Sequence, residues 1–223
     1  MRFILQYLKN KPSITYTLII LNIVMYIVMT LFGGTENIAN LVRFGAKYSP
    51  YIINGQYWRL ITPMFIHIGL QHLLINMITL YFLGTLLENI FGKTRFLIIY
   101  LVSGICGNIA SFAFNFSSIS AGASTALFGM FGSFLMLGES FRRNPYLQTM
   151  SRQFFLLVIL NIFFGMFGNS DLTGHLGGLV SGFLLGYVVG VPNLGRVPKV
   201  KRIVSFVILL FINLIILNFG FTS

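Results

Sequence analysis

The strongest constraint on this chain is a succession of seven apolar runs, each meeting or approaching the roughly 20 residues that an α-helix needs to cross a bilayer core of about 30 Å. They fall, to within a few residues, at 14–33, 68–88, 95–116, 122–139, 153–168, 172–190 and 203–220. Only 9% of the 223 residues are charged and 56% are hydrophobic, too little polar surface to coat a water-soluble globule of this size. The expected fold class is therefore an all-α membrane protein, a polytopic helical bundle forming one compact domain. The fourth, fifth and sixth runs are shorter than the first three, which suits helices surrounded by protein rather than by lipid. Phe (24 residues) and Gly (23) are both abundant, as expected where bulky groups face lipid and small ones let helices approach.

A formal charge of +11 would suggest a nucleic-acid partner in a soluble protein, but here the cations have to be located first. With the N-terminus cytoplasmic, the inner segments hold Arg2, Lys9, Lys11, Lys93, Arg95, Arg142, Arg143, Arg152, Arg196, Lys199, Lys201 and Arg202, while the outside receives only Arg43, Lys47 and Arg59. Twelve against three sets the orientation, and seven spans then leave the C-terminus outside. The charge reads as topology with attraction to the lipid bilayer, and no nucleic acid is needed. The first run exceeds a signal-peptide core and no small-x-small site follows it, so it is expected to be a retained helix. Cys106 is the only cysteine and can form no intrachain disulfide. One long outer connection, roughly 34–67, is expected to lie at the interface, with Trp58 and Arg59 near its end.

The three histidines, His67, His72 and His175, all fall near the outer ends of spans under this orientation. His72 and Asn76 are four residues apart, on one helix face and about 6 Å apart along its axis. His175 lies in the first turns of the sixth span, and Ser124 opens the fourth after a polar loop. These residue types suit acyl transfer. A serine hydroxyl becomes nucleophilic when an imidazole accepts its proton. The oxyanion formed then needs fixed donors, which His72, Asn76 and the Ser124 amide at a helix N-terminus can supply. Gly122 lets the loop turn tightly into the helix. Gly174, Gly178, Gly182, Gly186 and Gly190 recur every four residues in the sixth span, matched by Ala121, Thr125, Gly129 and Ser133 in the fourth. Packing of these two small-residue stripes is expected to bring His175 within reach of Ser124.

Gly122-Ala123-Ser124 opening a helix, His72 with Asn76, Gly174-His175-Leu176-Gly177-Gly178 and Trp58-Arg59 ahead of the second span together resemble the rhomboid protease family over roughly residues 50–190. The resemblance implies a six-helix core that cuts transmembrane protein substrates with a Ser-His dyad, without metal or cofactor, in a multi-pass protein of a bacterial cell membrane. The seventh helix is then a C-terminal addition. The implied division is a cytoplasmic segment 1–13, a catalytic core 14–190, and a loop with the extra helix over 191–223. By the same resemblance Ser124 is the nucleophile, His175 the base, and His72, Asn76 and the Ser124 amide the oxyanion site. It further implies that His67 supports the loop, that Trp58 and Arg59 brace the external connection, and that Glu88 is a structural acid at the inner end of the second span. The sequence departs from the family in having Thr125 directly after the serine, where Gly is usual, and Phe128 where a Tyr often stacks on the catalytic histidine.

Asp171 lies one turn before His175 and invites a Ser-His-Asp triad, but an N-cap of the sixth span is the simpler expectation. Asn161, Asn213 and Asn218 are expected to make interhelical hydrogen bonds. Three histidines with no acidic cluster argue against a zinc site. Two rival functions stand beside the protease: a small transporter or channel lined by His72, Asn76 and His175, and a catalytically inactive rhomboid-like protein that binds membrane proteins. The sequence leaves the natural substrate and the oligomeric state open.

Overall fold

A computed structural model describes residues 11–168 and 170–222 of the chain. Nearly all of the expected cytoplasmic segment 1–13, with Arg2 and Lys9, lies outside the described residues. Nine α-helices are described: α1 (Ser13–Leu31), α2 (Ile38–Phe44), α3 (Ser49–Ile53), α4 (Gly69–Phe91), α5 (Lys93–Phe114), α6 (Ser124–Ser140), α7 (Pro145–Gly165), α8 (Leu172–Val189) and α9 (Lys199–Thr222). Two 3₁₀ turns, Tyr57–Leu60 and Thr62–Phe65, lead into α4. Among the described residues there is no strand, only an isolated antiparallel bridge between Lys47 and Ser120.

Six of these helices, α1, α4, α5, α7, α8 and α9, are long and apolar enough to cross a membrane. The fourth expected span, α6, is 17 residues long and 13 of them are buried. It is the axis of the bundle, flanked by α5, α7 and α8. The fold is thus an all-α polytopic membrane fold, as the apolar runs required.

The tightest packing is along α6 and α8, and its cause is the absence of side chains. A methyl group at Gly182 would overlap the Gly129 carbonyl, one at Gly178 the Thr125 carbonyl, and one at Gly132 the Leu179 carbonyl. Ser133 Oγ donates to Gly182 O across the same seam at 2.9 Å. The expected stripe holds from Gly174 to Gly186 on α8, but not at its ends. Gly190 has φ +69° and closes the helix, and Ala121 lies in the loop before α6, packed on the small outer cluster of Met29, Leu41, Ala46 and Ile66.

At the opposite end of the bundle the buried Glu88 of α4 accepts from the Ile14 and Thr15 amides and from the Thr15 hydroxyl, at 3.0, 2.8 and 2.8 Å. These first-turn amides of α1 have no carbonyl partner within their helix, so the carboxylate fixes the start of α1 against α4.

Two expectations are corrected. The fifth span is neither short nor enclosed: α7 begins at Pro145, eight residues before the apolar run at 153, and only Leu147, Val158 and Gly165 of its 21 residues are buried. Polar residues through Arg152 interrupt hydropathy without interrupting a helix. Asn161 and Asn213 donate to the carbonyls of Leu157 and Leu209 one turn earlier in their own helices, at 2.8 Å each; Asn213 also hydrogen-bonds Cys106 of α5 across helices, as expected, whereas the bond of Asn161 stays within α7.

Candidate active site

The site is assembled where the external connection, the 115–123 loop and the first turns of α4, α6 and α8 meet. Gly122 has φ +132°, a conformation that L side chains rarely adopt, and its notional Cβ would lie 2.6–2.8 Å from the His72 ring. Its amide donates to Pro63 O at 2.9 Å, and the Ala123 amide donates to His67 Nε2 at 3.4 Å. These two contacts fix the backbone that delivers Ser124 as the first residue of α6.

His67 is fully buried, and burial, aided by neighbouring His72, pulls its imidazole down to about 3. It is therefore neutral and free to accept through Nε2. Its ring meets that of His72 edge-on, with centroids 5.2 Å apart.

From the other side α8 carries His175 to the serine. His175 Nε2 and Ser124 Oγ are 2.9 Å apart, although 51 residues separate them in the chain. The imidazole lies flat on Phe128, one turn along α6, with ring centroids 4.2 Å apart and planes 8° from parallel. The stacked ring fixes the plane in which the imidazole meets the hydroxyl. His175 Nδ1 has no hydrogen-bond partner among the described residues.

Ser124, His175, His72, Asn76 and Phe128 share the wall of one cavity of about 1330 Å³, which extends between α4 and α7 past Ile75, Ile78, Phe82, Phe154 and Leu157. Asn76 spends one Nδ2 hydrogen on its own helix, at His72 O, 2.8 Å away, which leaves the second for a ligand. The amides of the first turn of α6 likewise have no partner within the helix. Donors from two helices therefore line the same cavity as the serine, and an oxyanion formed there would need such donors.

The external connection is braced as a unit. Arg59 is buried, and its guanidinium donates to Val42 O at 2.8 Å, to Ala46 O at 2.9 Å and to Gln56 Oε1 at 2.7 Å, while lying 5.0 Å from the centroid of the Tyr51 ring. Trp58 is exposed, which suits an interfacial side chain rather than a core one.

The Rhomboid domain family model matches residues 54–192. The chain belongs to the rhomboid family. It is 40% identical over 216 residues to Rhomboid protease GluP of Bacillus subtilis (strain 168), covering 96% of this chain and 42% of that protein. It is 36% identical over 143 residues to Putative rhomboid protease YdcA of the same organism, covering 63% of this chain and 71% of that protein. RHOMBOID-like protein 1 of Arabidopsis thaliana is 38% identical over 152 residues, covering 66% of this chain and 39% of that protein. The chain thus spans about two fifths of the length of the first and third of these rhomboid relatives.

The two departures from the rhomboid pattern have a physical account. Thr125 fits because its neighbours lack side chains: its Cγ2 lies 3.1 Å from a notional Cβ on Gly174, and its Cβ lies 2.8 Å from one on Gly107. Its hydroxyl is buried with no partner among the described residues. Phe128 needs no hydroxyl to stack on His175.

Asp171 is the N-cap of α8. Its Oδ1 accepts from the Gly174 amide at 3.0 Å and from the Thr173 hydroxyl at 2.9 Å, and its Oδ2 accepts a short hydrogen bond from Ser111. No hydrogen bond joins it to the imidazole. Burial would raise its carboxyl, but hydrogen bonds from Ser111, Ser120 and the Gly174 amide and the charge of Lys47 hold it below the usual carboxylate range.

Lys47 is the site residue that sequence reasoning missed. By sequence it reads only as an outer cation, yet its side chain is fully buried and donates to Asn115 O at 2.6 Å and Ser118 O at 2.9 Å. No local pattern announces this. The one available signal was its place between Gly45 and Pro50, two turn-forming residues that keep the segment close to the bundle.

Proposed function

We propose that the protein is an intramembrane serine endopeptidase that hydrolyses peptide bonds in or near the transmembrane helices of membrane-protein substrates. The observation that carries this reading is the 2.9 Å contact between Ser124 Oγ and His175 Nε2 inside a cavity open between α4 and α7. In the reactive tautomer the His175 proton sits on Nδ1 and Nε2 accepts. Ser124 Oγ attacks the substrate carbonyl carbon and its proton passes to His175 Nε2. The carbonyl oxygen becomes an oxyanion, held by the Ser124 amide with His72 and Asn76. The C–N bond breaks as His175 returns the proton to the leaving amine, giving an acyl-enzyme on Ser124. Water, deprotonated by His175, then attacks the ester, releases the acid product and restores the serine hydroxyl.

A substrate helix conceals its carbonyls in backbone hydrogen bonds and must unwind locally before Ser124 can reach one. Segments with Gly, Ala, Ser or Pro at that depth are therefore the preferred substrates. The roles of Gly122, His67, Phe128 and Arg59 in this reading are to hold the reacting groups, and Trp58 anchors the external connection at the interface. The charge distribution supports a cytoplasmic N-terminus and an outer active site in a bacterial cell membrane, with 14–190 as the catalytic core and 191–223 as the added loop and helix. A transporter lined by the same polar residues has no use for a serine hydrogen-bonded to a stacked imidazole, and an inactive escort has no need of the pair.

The test is cleavage of a generic transmembrane substrate by purified protein in liposomes. Ser124→Ala and His175→Ala are each expected to abolish turnover, and Asn76→Ala to lower kcat by about 100-fold. Cleavage that survives the two dyad substitutions refutes the assignment.

A further inference from the structure

The mechanism makes no use of the buried charge nearest the loop before Ser124, that of Lys47. Lys47 sits in the external connection between α2 and α3 with no exposed surface at all, a costly place for an ammonium that a Met or Leu of similar length would fill without desolvating a charge. Burial pulls it down to about 8, against the opposing influence of Asp171.

Its contacts all go to one segment. The ammonium donates to Asn115 O and Ser118 O, and the backbone pairs in both directions with Ser120, Lys47 N to Ser120 O at 2.8 Å and Ser120 N to Lys47 O at 3.1 Å. Asp171 holds the same segment through different atoms, the Asn115 side-chain amide at 3.4 Å and Ser111, whose hydroxyl is also 3.3 Å from that of Ser120. Asn115 is therefore shared, its carbonyl taken by the cation and its amide by the anion. The segment ends at Gly122, two residues before Ser124, and Asp171 caps the helix turn that carries His175. Capping alone needs no charge, since Asn or Ser serves as well. The charge of Asp171 is explained by that of Lys47.

We infer that Lys47 and Asp171 are a pair of positioning residues that together clamp the 115–122 loop and so hold Ser124 and His175 in register for the reaction. The inference rests on the dyad reading above. Neither residue touches the reacting atoms. Their effect is on how tightly the hydroxyl and the imidazole are kept at reacting distance, where a displacement of about 1 Å costs on the order of 100-fold in rate.

The experiment compares Lys47→Met, Asp171→Asn and the double variant with wild type, all as full chains in liposomes, by two readouts. Substrate cleavage is resolved into kcat and KM, and hydrogen–deuterium exchange is followed at the amides of 115–122. Asn keeps the cap and removes only the charge. The expected result is a 10- to 100-fold fall in kcat for Lys47→Met and about 10-fold for Asp171→Asn, with KM within about twofold and faster exchange in 115–122. The double variant is expected to be less impaired than the two single effects combined, because no unpaired charge is left buried. Should Lys47→Met fail to fold, Ser111→Ala removes one strand of the clamp more gently and is expected to lower kcat several-fold with the same exchange signature.

Wild-type kcat together with wild-type exchange in the variants overturns the clamp and leaves the protease reading intact, provided that Ser124→Ala is inactive. If Ser124→Ala cleaves as well as wild type, the protease reading is what fails. Exchange then decides the clamp alone, since a faster-exchanging 115–122 loop supports it and an unchanged loop overturns it.

Discussion

The α6–α8 seam and the wall formed by α7 are packed in opposite ways. Along the seam, backbone meets backbone at Gly178, Gly182 and Gly132, and any added carbon collides with a carbonyl. Along α7, large side chains such as Phe155 and Leu156 are more than half exposed, and only three residues are buried. The Ser124–His175 pair straddles the first region and its cavity opens toward the second. Proton transfer requires two side chains held at a fixed separation, and glycine packing supplies this because it leaves no rotamers to relax. On the reading proposed above, a substrate helix enters past a wall that yields at small cost, which sparse burial supplies.

The sharpest way to break this comparison is to fill the seam. Gly182→Leu forces a branched side chain into the Gly129 backbone and is expected to cost about 3 kcal/mol or to prevent folding altogether, read as loss of the thermal transition in detergent and of cleavage.

Next in size is a pH effect at the loop that feeds the seam. The unfolded His67 imidazole titrates near 6.5 and the folded one at about 3, so the unfolded chain binds the extra proton. The stability that His67 contributes is fully present above pH 6.5 and is lost as pH falls from there toward 3. Melting temperature is expected to drop across pH 6.5 to 4, and to drop less in His67→Gln, which retains an acceptor for the Ala123 amide. Equal slopes for the two proteins would contradict the buried neutral state.

A smaller effect tests how dry the seam is. Thr125→Val exchanges an unpartnered buried hydroxyl for a methyl of the same shape and is expected to raise stability by about 1 kcal/mol. Smallest of all, Leu156→Ala on the exposed face of α7 is expected to change stability by no more than about 0.5 kcal/mol, and a loss comparable to that of a seam substitution would erase the distinction between the regions.

Much of this was legible in the sequence because bilayer and chemistry both leave periodic marks. Apolar length located the spans, and four-residue spacing located the seam. The placement of serine and histidines at one depth pointed to the outer ends of three spans, and the family resemblance alone implied the ring of Phe128 that lies on His175. Where the reading failed, the determinant was not hydropathy. The start of α7 is marked by Asn144 accepting from the Tyr146 and Leu147 amides, followed by Pro145, a cap signal that a search for apolar runs passes over. The external connection, expected only as an interfacial loop, contains α2, α3 and two 3₁₀ turns, whose signs were Asn37 as N-cap, Gly45 at φ +100° as the stop and Pro50 in the first turn of α3. Lys47 was illegible for a deeper reason. Its partners, Asn115 and Ser118, lie 68 and 71 residues away, and no local rule distinguishes a lysine bound for the interior from one bound for water.

The central claim is that His175 activates Ser124 within the membrane-embedded site, and covalent labelling tests it with no assumption about substrate. A serine-directed fluorophosphonate applied to the folded protein in liposomes, followed by mass mapping, is expected to mark Ser124 alone and to lose that mark in His175→Ala. Labelling of Ser124 at an undiminished rate without the imidazole, or preferential labelling of another serine, would contradict it.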